Sequence, residues 1–211
     1  MNILTLTASL SLWIQIPIHR LSGLLKRAMR DEFLTVQLDA ALQNAASTFD
    51  CGSAPIFNSF IRSYSAIDPF YGKTFVFPLG NTGSIIGYYN IGIGEVLRVE
   101  ESRILKCGGA IHINYLALDK RYRGQPVFAD KPEIDLRWSD LLLRDCLRRI
   151  DWIRQEHVGF GFVTLSASKE GYNLYKRHGF LELAEDEMYF VKGDDEMSGK
   201  GIQMYLPLDI E

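Results

Sequence analysis

Apolar and polar positions along the chain change period several times after residue 32, and each change predicts an element. Phe33–Leu38 is a β-rich run and predicts a first strand. Behind Ser53 as cap and Pro55 in a first turn, Ile56, Phe57, Phe60, Ile61 and Tyr64 recur at helical spacing. Lys73–Pro78 and Ser84–Ile93, joined by the turn Gly80-Asn81-Thr82-Gly83, predict a β-hairpin. Ala110–Asp119 is the most apolar of the strand-like runs, which predicts a central place in the sheet. Leu142, Leu143, Cys146, Leu147, Ile150 and Ile153 then mark the buried stripe of a strong helix that begins at Ser139. Phe160–Ala167 returns as a strand. Ser168 caps a last helix, and the helix ends at Gly179, where a left-handed residue followed by Phe180 predicts a Schellman termination. Two more strand-like runs, around Met188–Val191 and Ile202–Leu206, are joined by the acidic turn Gly193–Gly201, with Asp194, Asp195 and Glu196 read as a charged turn. No internal repeat or linker between two cores interrupts this order, so one domain is expected over residues 31–211.

The first thirty residues read differently. Ile3–Ile18 is apolar but broken by Thr, Ser and Gln and ended by Pro17, and its charges follow the apolar run where a secretory signal places them before it. It is too short and too polar for stable membrane insertion. Leu21, Leu24, Leu25, Ala28 and Met29, with Lys26, Arg27 and Arg30 between them, read as a basic amphipathic helix. The expectation is an N-terminal extension, residues 1–30, in front of the domain, with membrane-surface binding or a targeting role as the alternative.

Charge sharpens this division. Four of the 23 basic residues, and none of the 26 acidic ones, lie in residues 1–30, so the other 181 carry 19 basic against 26 acidic, a net of −7. A body that acidic is a poor generic binder of polyanions, because Lys and Arg contacts to phosphate supply most non-specific nucleic-acid affinity. The cysteines Cys51, Cys107 and Cys146 are odd in number and lack a CxxC pair, so free thiols in a reducing cytoplasm are expected. No Cys/His spacing suits a metal ion.

The candidate chemistry starts at YLALDKRYRGQ, where an apolar strand runs into a loop bearing Arg121, Arg123, Gly124 and Gln125 and, later, a capped helix. Backbone N–H groups of such a loop and helix N-terminus, with arginines beside them, suit a pyrophosphate. A second unit follows, the strand FVTLSA and then SKEGYNLYKRHGF. Together these resemble the GNAT superfamily of acyl-CoA-dependent N-acyltransferases, whose pyrophosphate loop reads [RQ]xxGx[GA] and whose last helix reads NxxAxxxYxxxGF. Here the loop is Arg121-Tyr122-Arg123-Gly124-Gln125-Pro126. Ser168 stands at the Asn position, Gly171 at the Ala position, and Tyr175, Gly179 and Phe180 match outright. TFDCGSAPIFNSFIRSYS and IIGYYNIGIGEV are similar to the FxCGxxxLxxFL and GYYxLxxG stretches of the branch that includes toxin acetyltransferases acting on aminoacyl-tRNA.

The resemblance implies an α+β fold with a mixed central sheet splayed between two parallel strands and helices on both faces. It implies acetyl-CoA as co-substrate, with its pantetheine arm along Leu116, Ala117 and Leu118, its pyrophosphate near Arg121, Arg123, Gly124, Gln125 and Ser139, and Ser168 at the cofactor side. An acceptor amine would attack directly while Tyr175 acts as general acid. The acceptor is a small amine, a peptide or an aminoacyl-tRNA, and the acidic body ranks the last behind the others. A homodimer and an antitoxin-type protein partner stay open. Two departures stand out. Pro126 lacks the N–H the loop normally offers, and thirteen residues, Pro126–Trp138, delay the helix. Either this insertion loops outward and Ser139 still reaches the phosphates, or cofactor binding is weakened; the good cap at Ser139 favours the first. Phe128, Lys131, Arg137 and Trp138 of the insertion are then expected on the acceptor side. His112 and Glu95 are alternative bases, each more simply a structural residue. Arg144, Arg148, Arg149 and Arg154 are more simply a solvated helix face than a tRNA contact, and Gly92/Gly94 is too common a pair to mean dinucleotide binding. The rival function is a catalytically silent GNAT-fold binding module.

Overall fold

The computed structural model describes residues 33–52, 55–79, 84–101, 103–130, 133–183, 189–192 and 201–208. The predicted extension, the cap at Ser53, the turn at residues 80–83 and the acidic turn after Gly193 lie outside them. Thr35–Leu208 forms one compact unit.

Among the described residues eight strands make one sheet: β1 (Val36–Gln37), β2 (Lys73–Pro78), β3 (Ile85–Glu100), β4 (Arg103–Leu118), β5 (Phe162–Ala167), β6 (Leu181–Glu182), β7 (Tyr189–Lys192) and β8 (Ile202–Pro207). Their order is β1-β2-β3-β4-β5-β8-β6, with β7 added to β3, so β4 is central as its apolar composition predicts. The helices are α1 (Ala40–Gln43), α2 (Pro55–Arg62), α3 (Trp138–Glu156) and α4 (Tyr172–Arg177). Adjacent side chains on a strand point to opposite faces, and Tyr88 and Tyr89 are both fully buried because both faces are covered. Tyr88 joins a cluster with Phe49, Phe60, Ile61, Tyr115 and Ala117 on the α1/α2 face. On the other face Tyr89 Oη donates to Asp145 of α3 at 3.0 Å, and Arg149 Nε donates to Tyr89 Oη at 2.7 Å. Arg149 also lies 4.0 Å over the Phe75 ring, while Arg148 and Arg154 face Asp145 and Asp151, so the arginines are used within the helix packing.

Three expectations are corrected. The first strand is only two residues long, and α1 follows it directly, capped by Asp39 Oδ1 accepting from the Leu42 N–H at 2.9 Å. The β3–β4 hairpin is far longer than the apolar runs Ser84–Ile93 and Ala110–Asp119, since pairing continues to Glu100↔Arg103. Its outer half is charged and glycine-bearing; β7 pairs with it at Glu95–Arg98, and the Phe162 ring lies where a Cβ on Gly108 would stand, 2.8 Å from that position. Finally, α3 begins at Trp138, with Arg137 in the cap position, which places Ser139 inside the first turn rather than at the cap.

The last helix ends as its sequence predicts. Gly179 has φ +88°, its N–H donates to Lys176 O at 3.1 Å, and the Phe180 N–H donates to Tyr175 O at 3.1 Å, the bond pattern of a Schellman motif.

Candidate active site

The site begins where β4 and β5 part. They are the parallel pair of the sheet, and their pairing runs from Ala110↔Phe162 to Ile113↔Leu165 and stops there. Beyond that point β4 stays with β3 to Leu118, and β5 stays with β8 to Ala167. The cause is local. Asn90 pairs with Tyr115 and Ile91 with Ile113, so Asn114 is an extra residue in β4, a bulge that adds twist and turns the strand out of register with β5. The edge of β4 that bears Leu116, Ala117 and Leu118 is thereby left without a partner from β5.

A cavity of about 90 Å³ occupies this opening, lined by Phe57, Ile113, Asn114, Leu116, Leu165, Ser166, Ser168, Gly171, Leu174 and Tyr175. Tyr175 is 8% exposed, and its ring meets Phe180 edge-on at 5.6 Å. Gly171 matters to that placement, because a Cβ there would stand 3.1 Å from Tyr175 Cε2. Ser168 Oγ accepts from the Gly171 N–H at 3.1 Å and so shapes the entry to α4. Tyr88 Oη donates to Phe57 O at 2.7 Å, which ties the helix carrying Phe57 to the sheet.

The loop after β4 is braced from below. Asp119, almost fully buried, accepts from the Arg121 N–H at 3.0 Å, from Arg121 Nε at 2.8 Å and Nη2 at 3.1 Å, and from the Asp50 N–H at 3.2 Å. Burial raises the Asp119 pKa, but these donors outweigh it and hold the carboxyl below its usual range. Lys120 pairs with Asp50 at 2.7 Å, and with the Gly52 N–H and Asn58 it holds Asp50 at a pKa of about 2. Arg123 reaches Glu170 at 3.1 Å and the Cys51 carbonyl. The TFDCG segment is therefore the buttress of the loop, a role its sequence does not announce. Both loop arginines already have protein partners, and Gly124 takes a left-handed φ of +71°.

The two ends of the insertion lie side by side. Pro126 and Arg137 form an isolated antiparallel bridge, the Val127 N–H donates to Leu136 O at 2.8 Å, and the Trp138 N–H donates to Gln125 O at 3.4 Å. The excursion is thus pinched at its base, and the α3 N-terminus stands beside Gln125 as if the insertion were absent. The N–H groups of Gly124 and Ser139 have no hydrogen-bond partner among the described residues. Phe128 is buried and Trp138 packs edge-on against Phe77 and Tyr122, at 5.9 and 5.4 Å, and neither lines the cavity. Lys131 lies outside the described residues.

Asp140, in the first turn of α3, accepts from Arg177 Nε at 3.0 Å and bonds His178 Nε2 at 2.8 Å. That joint links the helix bearing Ser139 to the helix bearing Tyr175. The two alternative bases are placed elsewhere. His112 is fully buried with Nδ1 2.9 Å from Thr164 Oγ1, and Glu95 pairs with Lys106 at 2.8 Å; neither lines the cavity. Gly92 serves packing, since a Cβ there would stand 2.9 Å from Asn114 Nδ2. Asn114, Ser166 and Phe57 are cavity residues that the sequence analysis did not single out. A polar residue interrupting the most apolar strand was the available signal for Asn114.

A mixed sheet that opens between its parallel strands at a bulge, with a glycine-bearing loop after one strand and a tyrosine-bearing helix after the other, is the GNAT fold. Solved structures share it. One described as a bacterial toxin superposes with a TM-score of 0.60 at 17% identity, covering 82% of this chain and 89% of that one. AtaTR bound with AcCoA gives 0.59 at 16% identity, covering 82% and 92%. The AtaT–AtaR complex bound to DNA gives 0.53 at 17% identity, covering 82% and 93%. No protein-family model and no curated protein sequence matches the chain. Among the described residues no helix is long and apolar enough to cross a membrane.

Proposed function

We propose that the chain is an acetyl-CoA-dependent N-acetyltransferase acting on a primary amine, with Tyr175 as general acid. The observation that carries this is the opening between β4 and β5, which starts at the Asn114 bulge and has Tyr175 in its lining. In this reading the strand edge at Leu116, Ala117 and Leu118 pairs with the amides of the pantetheine arm, as an added strand would. The N–H groups of Gly124 and Ser139, beside Arg121, Arg123 and Gln125, receive the pyrophosphate. Ser168 orders the turn that brings Tyr175 to the cavity. Acetyl-CoA bound there supplies an activated acetyl group, and Tyr175 Oη gives a proton to the departing sulfur. That one of the solved neighbours holds AcCoA supports the choice of co-substrate.

The acceptor in this reading is the amine of a small molecule, a peptide or an aminoacyl-tRNA. The resemblance of TFDCGSAPIFNSFIRSYS and IIGYYNIGIGEV to the toxin branch supports the last, the likeness to the AtaT–AtaR complex supports an antitoxin-type protein partner, and the acidic body speaks against the last. A homodimer and a cytoplasmic site of action belong to the same reading. A second reading, a silent binding module, is favoured by Pro126 and by the partners already held by Arg121 and Arg123. Saturable thermal stabilisation by acetyl-CoA, but not by acetate, separates the two, because only a ligand of the folded state raises its apparent stability. Tyr175→Phe is expected to lower thiol release by roughly 10²-fold with that stabilisation unchanged. Undiminished release in the variant removes Tyr175 from the chemistry.

A further inference from the structure

The first residue past the last β4–β5 pair is Asn114 on one strand and Ser166 on the other, so these two flank the closed end of the opening. Both line the cavity, and both have a buried side-chain oxygen, Asn114 Oδ1 and Ser166 Oγ, without a hydrogen-bond partner among the described residues. Asn114 is only 5% exposed. Its other amide atom is committed: Asn114 Nδ2 donates to Asn90 Oδ1 at 2.7 Å, and Asn90 Nδ2 donates to Thr74 Oγ1 at 3.0 Å. This chain across three strands fixes the amide and leaves its oxygen as the end of the relay. Buried polar atoms are ordinarily bonded, so two unsatisfied oxygens lining one cavity mark a place where a ligand completes them.

We propose that Asn114 Oδ1 and Ser166 Oγ hold the two N–H groups of a neutral primary amine and thereby aim its lone pair at the acetyl carbon. The inference rests on the acetyltransferase reading above. The loop that starts at Asp119 lies five residues along β4 from Asn114, roughly 16 Å at about 3.3 Å per residue. An arm running back along that edge from the loop brings its acyl end to Asn114. Two unsatisfied acceptors suit a primary amine, which has two N–H groups and one lone pair. None of the lining residues is charged, so an ammonium, with three N–H groups and a charge to desolvate, is disfavoured and the free base is selected. The N–C bond forms as the C–S bond breaks; the sulfur takes the Tyr175 proton, and the proton shed by the amine passes through solvent and restores the phenol. A secondary amine has one N–H and leaves one of the two oxygens unsatisfied.

The test compares wild type with Ser166→Ala and Asn114→Leu, using alaninamide, or alanyl-tRNA where the free amide is inert, each against its N-methylalanyl counterpart. Each variant is expected to lower kcat/KM for the primary amine roughly 10- to 100-fold, as the loss of a buried hydrogen bond does. The primary-over-secondary preference should fall several-fold, a ratio that a merely structural defect leaves alone. The second readout needs no turnover. With the protein saturated in coenzyme A, which cannot react, alaninamide should raise Tm in wild type and less in either variant, while stabilisation by acetyl-CoA is the same in all three. Ser166→Ala removes one atom and stands as the arm that folds if Asn114→Leu does not. An active wild type whose preference survives Ser166→Ala overturns the inference and leaves the acetyltransferase reading in place. A wild type that releases no thiol with any acceptor overturns both.

Discussion

Replacing Asp140 by Asn tests whether one buried carboxylate joins the two helices that frame the site. Asp140 is 11% exposed at its side chain and receives bonds from Arg177 Nε at 3.0 Å and His178 Nε2 at 2.8 Å. Burial acts to raise its pKa, but the His178 and Arg177 bonds and the Arg177 charge outweigh burial and bring it from 3.8 to about 2. At about 1.4 kcal/mol per pKa unit that drop corresponds to roughly 2 kcal/mol. Arg177 is 44% exposed, so solvent screens its share, and about 1–2 kcal/mol is the expectation. The sign follows from the direction: a carboxyl depressed by folding binds its proton more readily in the unfolded chain. The stabilisation is therefore complete above the unfolded pKa near 3.8 and is lost as pH falls through the folded value near 2. Urea unfolding of wild type and Asp140→Asn between pH 2 and 6 should show a gap of that size above pH 4 that closes on acidification. Other acids, Asp50 among them, titrate in both proteins and cancel in the difference. A gap that is constant over the whole range would refute the ionisation argument, and no gap at all would refute the joint.

Two further substitutions probe the cavity walls. Gly171→Ala meets no backbone obstacle but sets a Cβ 3.1 Å from Tyr175 Cε2 and 3.4 Å from Ser168 Oγ, so the ring must shift by a few tenths of an ångström; Tm should stay within a degree or two while thiol release falls several-fold, and unchanged release would mean the ring position does not matter. Tyr88→Phe removes the donor to Phe57 O and should cost about 1 kcal/mol in urea unfolding, with a smaller acetyl-CoA-induced rise in Tm because Phe57 lines the cavity; equal unfolding curves would show that bond to be idle.

Where structure depends on residues close in sequence, the sequence predicted it. The stripe from Leu142 to Ile150 places α3, the apolar run before Asp119 places the inner half of β4 at the sheet centre, and Gly179-Phe180 ends α4 as its spacing demands. The resemblance in the loop and last helix located the segments that flank the cavity. Elements held by distant partners were not legible. The outer half of the β3–β4 hairpin, where Glu95, Arg98 and Lys106 stand among glycines, lies beyond the predicted strands Ser84–Ile93 and Ala110–Asp119, and in the structure it pairs with β7 at Glu95–Arg98. Nothing in TFDCG says that Asp50 and Cys51 will brace Arg123 and Asp119, 69 to 72 residues away. The amino-acid order by itself determined the periodicity of α3 and the glycine ending of α4, since these depend on neighbours a few positions apart, whereas the predicted caps Ser139 and Ser168 lie off the N-cap positions, taken by Arg137 and Gly171. Only the tertiary structure decided that β4 and β5 part at Asn114 and Ser166, because that opening arises from pairings of β4 with β3 and β5 with β8 that compete across half the chain, and no local pattern records which of them ends first.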